Sequence, residues 1–512
     1  MNILFISPRL AVQKGDILGS GVPYWPIELV TLATSVLMAG DQVKVLDLFS
    51  EGINIFEESY DYYLQGSSIK SSLKNNLINL DEFNLIIIFA ISYMSHREIN
   101  AITSYLKKYI NNTKIVILEN SQAVTSYDIF SKRKDFFDSG ADALICGNIC
   151  QIWIRVREDI INLKDQAEEV VYSFNDEKKP KRFIGNEVNI PIPKWDLINY
   201  KEYWKIPYSH GPKLKKYLPI LTSRGCPYPC DFCVVPNLND QKWRGKDPDT
   251  LIKEIIFLRD AYNVKDFHIE DLNPTINSKR WIEVSKKLID KKVGIRYYFV
   301  SGTKGESLSI KSLPLIYKSG CRYISISPES GDKNVLKEIG KNVDYDHLKK
   351  LLKTCCSLGI KTQACFLIGH PGENYESQNK NEVLLKSFLK NGLSEAAFFI
   401  VAPLPGSKIE INKKIKEGEK NYLTSFTPKN RPEYNSLEKS RRSLIFIYLK
   451  SLCYSPKKLF KILFRAFISS PKTKIENLPK RVFFLLFWIS ISNLRILILQ
   501  IKRNFKYNFN IF

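Results

Sequence analysis

The stretch "TSRGCPYPCDFC", residues 222–233, decides how the rest of the chain is read, because it sets Cys226, Cys230 and Cys233 in a Cys-x3-Cys-x2-Cys array. Three sulfurs within eight positions have few uses. A structural zinc site takes four ligands, as a rule in two pairs, and no histidine or cysteine follows here at a finger-like distance. A redox Cys-x-x-Cys pair leaves the third sulfur without a role. A 4Fe-4S cluster held by three thiolates uses all three and leaves one iron open, as a catalytic cluster requires. The array therefore reads as a cluster site with Cys226, Cys230 and Cys233 as metal ligands.

Ten cysteines in 512 residues are too few for a disulfide scaffold. A reducing, cytoplasmic setting suits them, and there a cysteine cluster binds metal or catalyses. The chain opens "MNILFISP", which reads as a buried strand and not as a signal peptide. Its length exceeds what one core supports, so two or three domains are expected. The net charge of +23 suggests nucleic acid until it is located. From Ile411 to Phe512 there are 22 Lys and Arg against five Glu and no Asp, a net of +17. The charge question is thus a question about the tail.

On the N-terminal side, "NILFIS" (2–7), "QVKVLDL" (42–48), "NLIIIFA" (84–90), "KIVILE" (114–119) and "DALICG" (142–147) read as strands. Most are apolar on both faces, as in a parallel sheet covered by helices. Residues 1–165 are expected to form a Rossmann-like, doubly wound α/β domain with its ligand at the carboxyl ends of the strands. Residues 166–215 read as an ordered linker. From 216 to 410 six strand–helix units follow, the pattern of a partial (β/α)6 barrel, whose chemistry collects on loops after strands. The three-cysteine loop follows the first of these strands. Residues 411–512 form a basic, helical tail.

The cysteine array, with aromatic Phe232 before its last member, is similar to the signature of the radical SAM superfamily. The longer string resembles members that carry an N-terminal cobalamin-binding-type domain. Other stretches match in the family's order: "NIPIPKWDLIN" (189–199), "KWRGKDPDTLIKEIIFL" (242–258), "FHIEDLNPTIN" (267–277), "ISISPESGDKNVLKEIGK" (324–341), "CFLIGHPGE" (365–373) and "APLPGSKI" (402–409). The resemblance implies that the open iron chelates S-adenosylmethionine and that one electron cleaves it to methionine and a 5′-deoxyadenosyl radical. It also implies Phe232, Asp271, Glu329 and Ser330 as cofactor-binding residues. Asp271 reads equally as a cap of the next helix, and Arg244 as a structural ion-pair partner or a SAM or substrate contact. Leu272 and Pro274 depart from the family's second-strand motif.

The order of elements in residues 1–165 resembles a cobalamin-binding domain, but the loop "SPRLAVQKGDILGSG" (7–21) lacks the histidine that ligates cobalt from below in part of that family. Cobalamin is therefore expected without a protein histidine ligand. His96, at a helix start, is expected to cap or to face solvent; Cys146 and Cys150, four apart, could face one another, but Cys146 ends a buried strand and is expected to belong to the core. In the tail, Leu459, Leu463 and Phe467 recur every four residues beside a Lys458, Lys461, Arg465 stripe, which suits an anionic membrane surface. Residues 481–503 could nearly span a bilayer, but Asn493 and Arg495 inside argue against a lipid-exposed span. Packing on the barrel is the alternative.

These readings imply a radical SAM enzyme, cobalamin-associated, that methylates carbon or performs an oxidative cyclisation or rearrangement on a hydrophobic, lipid- or tetrapyrrole-like small molecule. Expected partners are a flavodoxin or ferredoxin as electron donor and the inner membrane face as a peripheral contact. An RNA-modifying methylthiotransferase would need cysteines for a second cluster and a basic β-barrel, and nucleic acid is not expected. A non-catalytic iron–sulfur protein of the same fold is the remaining alternative.

Overall fold

The computed structural model describes residues 1–16, 19–162, 167–183, 185–187, 190–412, 428–429, 431–453, 460, 464 and 472–509, with side chains of the last helix described to Leu494. An N-terminal sheet contains β1 (Asn2–Ser7), β2 (Gln42–Asp47), β3 (Leu85–Ala90), β4 (Lys114–Glu119), β5 (Ala143–Ile145) and β6 (Val170–Val171). Their spatial order is β2-β1-β3-β4-β5-β6. The first five are parallel and β6 closes the edge antiparallel. All of β3 is buried, because helices cover both faces and nothing favours alternation. The chain reverses direction across the sheet between β1 and β3, which opens a crevice at their carboxyl ends.

The second sheet holds β7 (Leu218–Ile220), β8 (Asp266–Ile269), β9 (Arg296–Thr303), β10 (Cys321–Glu329), β11 (Lys361–Ile368) and β12 (Glu395–Ile400). They are parallel and lie side by side in sequence order, a partial (β/α)6 barrel. Four of the helices between them begin at side-chain caps: Asp247, Asn277, Asp344 and Asn374 each accept a main-chain N–H of the first turn.

An aromatic cluster joins the two units. Trp25 stacks on Tyr203 at 4.3 Å, meets Trp195 edge-on at 5.1 Å, and donates its indole N–H to Tyr217 at 3.3 Å. Trp195 and Tyr203 come from the linker, so those residues are structural mortar rather than a tether.

Three short antiparallel strands, Leu10–Gln13, Phe56–Ser59 and Tyr62–Gln65, add a flap to the N-terminal unit that the sequence pattern did not indicate. In the tail, helix Tyr434–Cys453 lays Leu444, Tyr448 and Leu452 into the core beside β12. Helix Leu478–Phe509 buries Leu485, and its Ser492 hydroxyl accepts the Phe56 N–H at 3.1 Å. The described part of the tail packs on the body of the protein. No described helix is long and apolar enough to cross a membrane. The expected amphipathic helix at 455–471 lies, apart from Phe460 and Phe464, outside the described residues.

Candidate functional site

The cysteine loop leaves β7 and is held from both units. Asp271, just beyond β8, accepts the Thr222 N–H and the Thr222 hydroxyl, each at 2.6 Å, and the Ser223 hydroxyl. Arg280 donates to the Thr222 carbonyl at 2.6 Å. Arg224 is 2 % exposed and ion-pairs with Glu28 of helix Ile27–Met38 at 2.9 Å and with Glu187 of the linker. Gly225 sits at φ +75°, and a Cβ there would stand 2.1 Å from the Lys242 carbonyl oxygen, so only glycine fits. Its N–H donates to Gln122 at 3.0 Å, and Gln122 in turn donates to Asn239 at 2.8 Å. The loop is therefore positioned by the N-terminal unit as much as by the barrel.

Cys226, Cys230 and Cys233 all open onto one cavity of about 600 Å³. Burial pushes each thiol up, Cys230 to about 11, and the charges of Cys230 and Cys226 add to the rise at Cys233. As bare groups they are thiols at neutral pH. A bound cation reverses that balance, because metal ligation takes the thiolate. Among the described residues, no three His, Cys, Asp or Glu converge as they would for a single ion. A cubane, whose thiolates each hold a different iron, does not ask them to.

Of the residues matched to cofactor contacts, Phe232 and Glu329 line the cavity. Phe232 lies 5.4 Å from the His370 ring. Glu329 ends β10 at φ +61°, where the register with β11 shifts, and its carboxylate pairs with Lys341 at 2.7 Å. A left-handed non-glycine residue at a strand end is a strained conformation held by its surroundings. Asp271 and Ser330 are fully buried and do not line the cavity. Asp271 clamps the cysteine loop, and the next helix is capped by Asn277 instead. Ser330 turns its hydroxyl to Asn381 at 3.2 Å. Arg244 sits 3.7 Å from Glu187, the structural of its two expected roles.

Opposite the cysteines, the cavity is walled by the carboxyl ends of the first strands: Ser7, Asp47, Ile91 and Ser92. From the 7–21 loop, Arg9, Leu10, Ser20 and Gly21 are among the residues that line it, and the loop holds no histidine. His210, from the linker, lines the cavity and bonds Glu270 at 2.6 Å. The tail adds Arg441, Tyr448, Lys474 and Arg481. The Lys474 ammonium donates to Gln363 at 3.1 Å, and Arg481 lies over the Tyr208 ring at 4.7 Å. Sequence reasoning missed His210 and the tail residues, since nothing local marks a basic residue as inward-facing.

In the N-terminal unit the expectation for His96 is corrected, while Cys146 lies in the core as expected. His96 neither caps nor faces solvent: it is fully buried, with Tyr127 and Asp135 each 3.0 Å from its ring nitrogens. Cys146 and Cys150 lie in apolar clusters on opposite sides of the sheet and do not form a pair.

The Radical SAM superfamily profile matches residues 220–379. A cytidylyl-2-hydroxyethylphosphonate methyltransferase from Streptomyces wedmorensis is 31 % identical over 44 % of this chain and 43 % of its own length. An anaerobic magnesium-protoporphyrin IX monomethyl ester cyclase from Rubrivivax gelatinosus is 22 % identical over 74 % of this chain and 64 % of its own. The chain thus spans 43 % to 64 % of the length of these relatives. Among solved structures, the radical SAM methyltransferase TsrM from Kitasatospora setae aligns with TM-score 0.61 at 15 % identity, covering 89 % of each chain. The cobalamin-dependent radical enzyme OxsB gives TM-score 0.61 at 15 % identity over 90 % of this chain and 70 % of its own. The profile match begins just before the cysteine loop and makes residues 220–379 a radical SAM region, and the chain as a whole shares the two-unit fold of the TsrM and OxsB structures.

Proposed function

We propose that the protein is a radical SAM enzyme that binds a 4Fe-4S cluster at Cys226, Cys230 and Cys233, SAM beside it, and cobalamin against the N-terminal strand ends, and that it methylates carbon in a hydrophobic small molecule. The observation that carries this is one shared cavity: the three cysteines and the carboxyl ends of β1, β2 and β3 line the same space. The TsrM and OxsB structures contain cobalamin, and the TsrM relative is described as a methyltransferase. Cyclisation is the second reading, favoured by the cyclase relative alone.

When bound, the cluster supplies the electron that cleaves SAM, and cobalamin supplies a methyl carrier. The chain's own residues do the rest. Asp271, Arg280 and Arg224 fix the loop whose three cysteines open onto the cavity. Phe232 and Glu329 with Lys341 are the proposed SAM contacts, a flat apolar ring and a polar pair for its charged ends. Phe49, Phe398, Phe399 and Ile445 give the cavity apolar walls that exclude water from a radical reaction. Lys474 offers one interior donor, which suits a hydrophobic substrate carrying a carboxylate, phosphonate or carbonyl.

The electron donor is a small reductant of the flavodoxin or ferredoxin class. Peripheral membrane contact is carried by Phe446, Phe483, Leu486 and Phe487, exposed on two helices whose segment of the chain carries most of its net positive charge. Sedimentation with anionic and with neutral vesicles tests it.

The functional test is anaerobic. The protein is reconstituted with iron and sulfide, given hydroxocobalamin, reduced with dithionite and supplied with SAM; 5′-deoxyadenosine and retained corrinoid are measured. Both are expected. Deoxyadenosine without corrinoid would leave a radical enzyme and remove methyl transfer through cobalamin. An intact cluster with no SAM cleavage, in the presence of substrate extracts, would refute the enzyme reading.

A further inference from the structure

Asp47 is the last residue of β2, 2 % exposed, and lies on the cavity wall. Its Oδ2 accepts the Tyr203 hydroxyl at 2.9 Å. Its Oδ1 has no hydrogen-bond partner. The nearby Ser50 hydroxyl donates to the main-chain oxygen of Asp47 at 3.1 Å. Among the described residues no cation pairs with Asp47.

The chain treats its other buried acids near this sheet differently. Glu119 receives two bonds from Arg182, at 2.7 and 2.9 Å, and the Gly147 N–H at 3.0 Å. Asp41 receives the N-terminal ammonium, the Trp153 indole and Arg157. A buried carboxylate oxygen left empty costs free energy unless something donates to it. Burial pushes the Asp47 carboxyl up to about 6. At neutral pH it is mostly ionised, and an ionised carboxylate only accepts. The missing partner is therefore an N–H or O–H donor on a ligand, at the end of a strand where doubly wound sheets bind ligands.

We propose that Asp47 accepts a hydrogen bond from a primary carboxamide on the rim of the corrin ring. This rests on the cobalamin reading above and assigns to it a residue that no motif marks. Corrinoids edged with amides offer many such donors, and an amide N–H would give the empty oxygen a second neutral donor beside the Tyr203 hydroxyl.

The test is binding, with no turnover. Hydroxocobalamin is titrated into the full-length, cluster-loaded protein and followed by visible absorption and retention on gel filtration. The second probe is aqua-heptamethyl cobyrinate, in which methyl esters replace the amides. Wild type, Asp47→Leu and Asp47→Asn are compared, with iron content and circular dichroism reporting folding. Loss of a charge-assisted bond should weaken hydroxocobalamin binding by roughly 10- to 100-fold in Asp47→Leu. Asp47→Asn keeps an oxygen acceptor and should lose less. The ester corrinoid should bind wild type and Asp47→Leu within about 3-fold of each other, since the acceptor has nothing to receive. The proposal is overturned if hydroxocobalamin binds folded Asp47→Leu as tightly as wild type, or if both probes weaken equally. Wild type binding neither probe would overturn the cobalamin reading itself, a result distinct from either of those.

Discussion

Replacing Arg224 by methionine should destabilise the protein and empty its cluster site together. Arg224 is 2 % exposed and gives two bonds to Glu28, at 3.2 and 2.9 Å, and one to Glu187. Both acids are themselves less than 10 % exposed. Methionine fills much of the volume but leaves two buried carboxylates facing each other, with Arg244 no closer than 3.7 Å to Glu187. Removing one partner of a buried pair costs about 3–5 kcal/mol. For a unit of this size that lowers the first thermal transition by roughly 5–15 °C. The same loss frees the cysteine loop from helix Ile27–Met38, so iron per chain should fall after anaerobic reconstitution. The control is Arg224→Met with Glu28→Gln and Glu187→Gln, which removes the stranded charges. Replacing a whole buried ion pair by neutral groups is often close to neutral, so the triple variant should recover most of the melting temperature. It should recover less of the iron, because the bridge to the loop is still absent. Scanning calorimetry and iron analysis give both readouts. A single variant that melts within about 1 °C of wild type, or a triple variant as unstable as the single, would refute the reasoning.

Other consequences can be checked in parallel. Serine at Cys226, Cys230 or Cys233 should abolish the iron–sulfur absorbance, whereas serine at Cys146, Cys150 or Cys356 should leave it. Gly225→Ala forces a Cβ into the Lys242 carbonyl at 2.1 Å and a left-handed φ, so cluster loading should collapse even though the cysteines remain. Asp271→Asn keeps the shape but loses a charged acceptor of three hydrogen bonds; a loss of about 2–4 kcal/mol in denaturant unfolding is expected. Asp47 has its carboxyl raised from 3.8 to about 6 by burial. Its folded form holds the proton more tightly, so its stability contribution is full below the unfolded value and is lost as pH rises through about 6. Asp47→Asn should therefore stabilise the protein near pH 8 by roughly 2–3 kcal/mol and little near pH 4, read by melts at the two pH values.

Much of the fold was legible because both sheets are parallel. Strands buried on both faces, such as Leu85–Ala90, write themselves as unbroken apolar runs, and helices with Asp or Asn caps mark the intervals between them. The cysteine spacing was legible because ligand geometry needs those residues close in sequence. The second layer of the site was not. Asp271 sits at a strand end, which suggests a ligand contact, but its partners Thr222 and Ser223 lie 49 and 48 residues away. Ser330 occupies a matched motif position yet faces Asn381, 51 residues on. His96 looked solvated because a polar residue at a helix start usually is; Tyr127 and Asp135 bury it from later in the chain. The antiparallel flap escaped because Glu57 and Glu58 interrupt one of its strands and each strand has only four residues.

The tail shows where composition misleads in a specific way. Its surplus of Lys and Arg reads as a surface looking for an anionic partner, and part of it is, since Arg442 and Lys472 are exposed. Arg431, however, is 8 % exposed and donates to the carbonyls of Gly369 and Val401 at 2.9 and 3.0 Å. Arg481 is 9 % exposed and donates to the Ser20 carbonyl, and Lys474 enters the barrel beside Gln363. Arg431 and Arg481 serve main-chain carbonyls of loops and strand ends that have no strand to pair with, a need that parallel sheets create at their carboxyl ends and that charge counting does not register. Arg431 ties the tail to loops at the barrel's carboxyl rim, and Arg481 ties it to the 7–21 loop of the N-terminal unit from the helix that also touches the N-terminal flap. Positive charge in this segment therefore closes the cavity first, and only the remainder is available to a membrane. Truncation before residue 472 should accordingly open the cavity and weaken whatever binds there, in detergent solution as much as on vesicles. Were the tail only a membrane anchor, the truncated protein would bind SAM and corrinoid as the full chain does once lipid is absent.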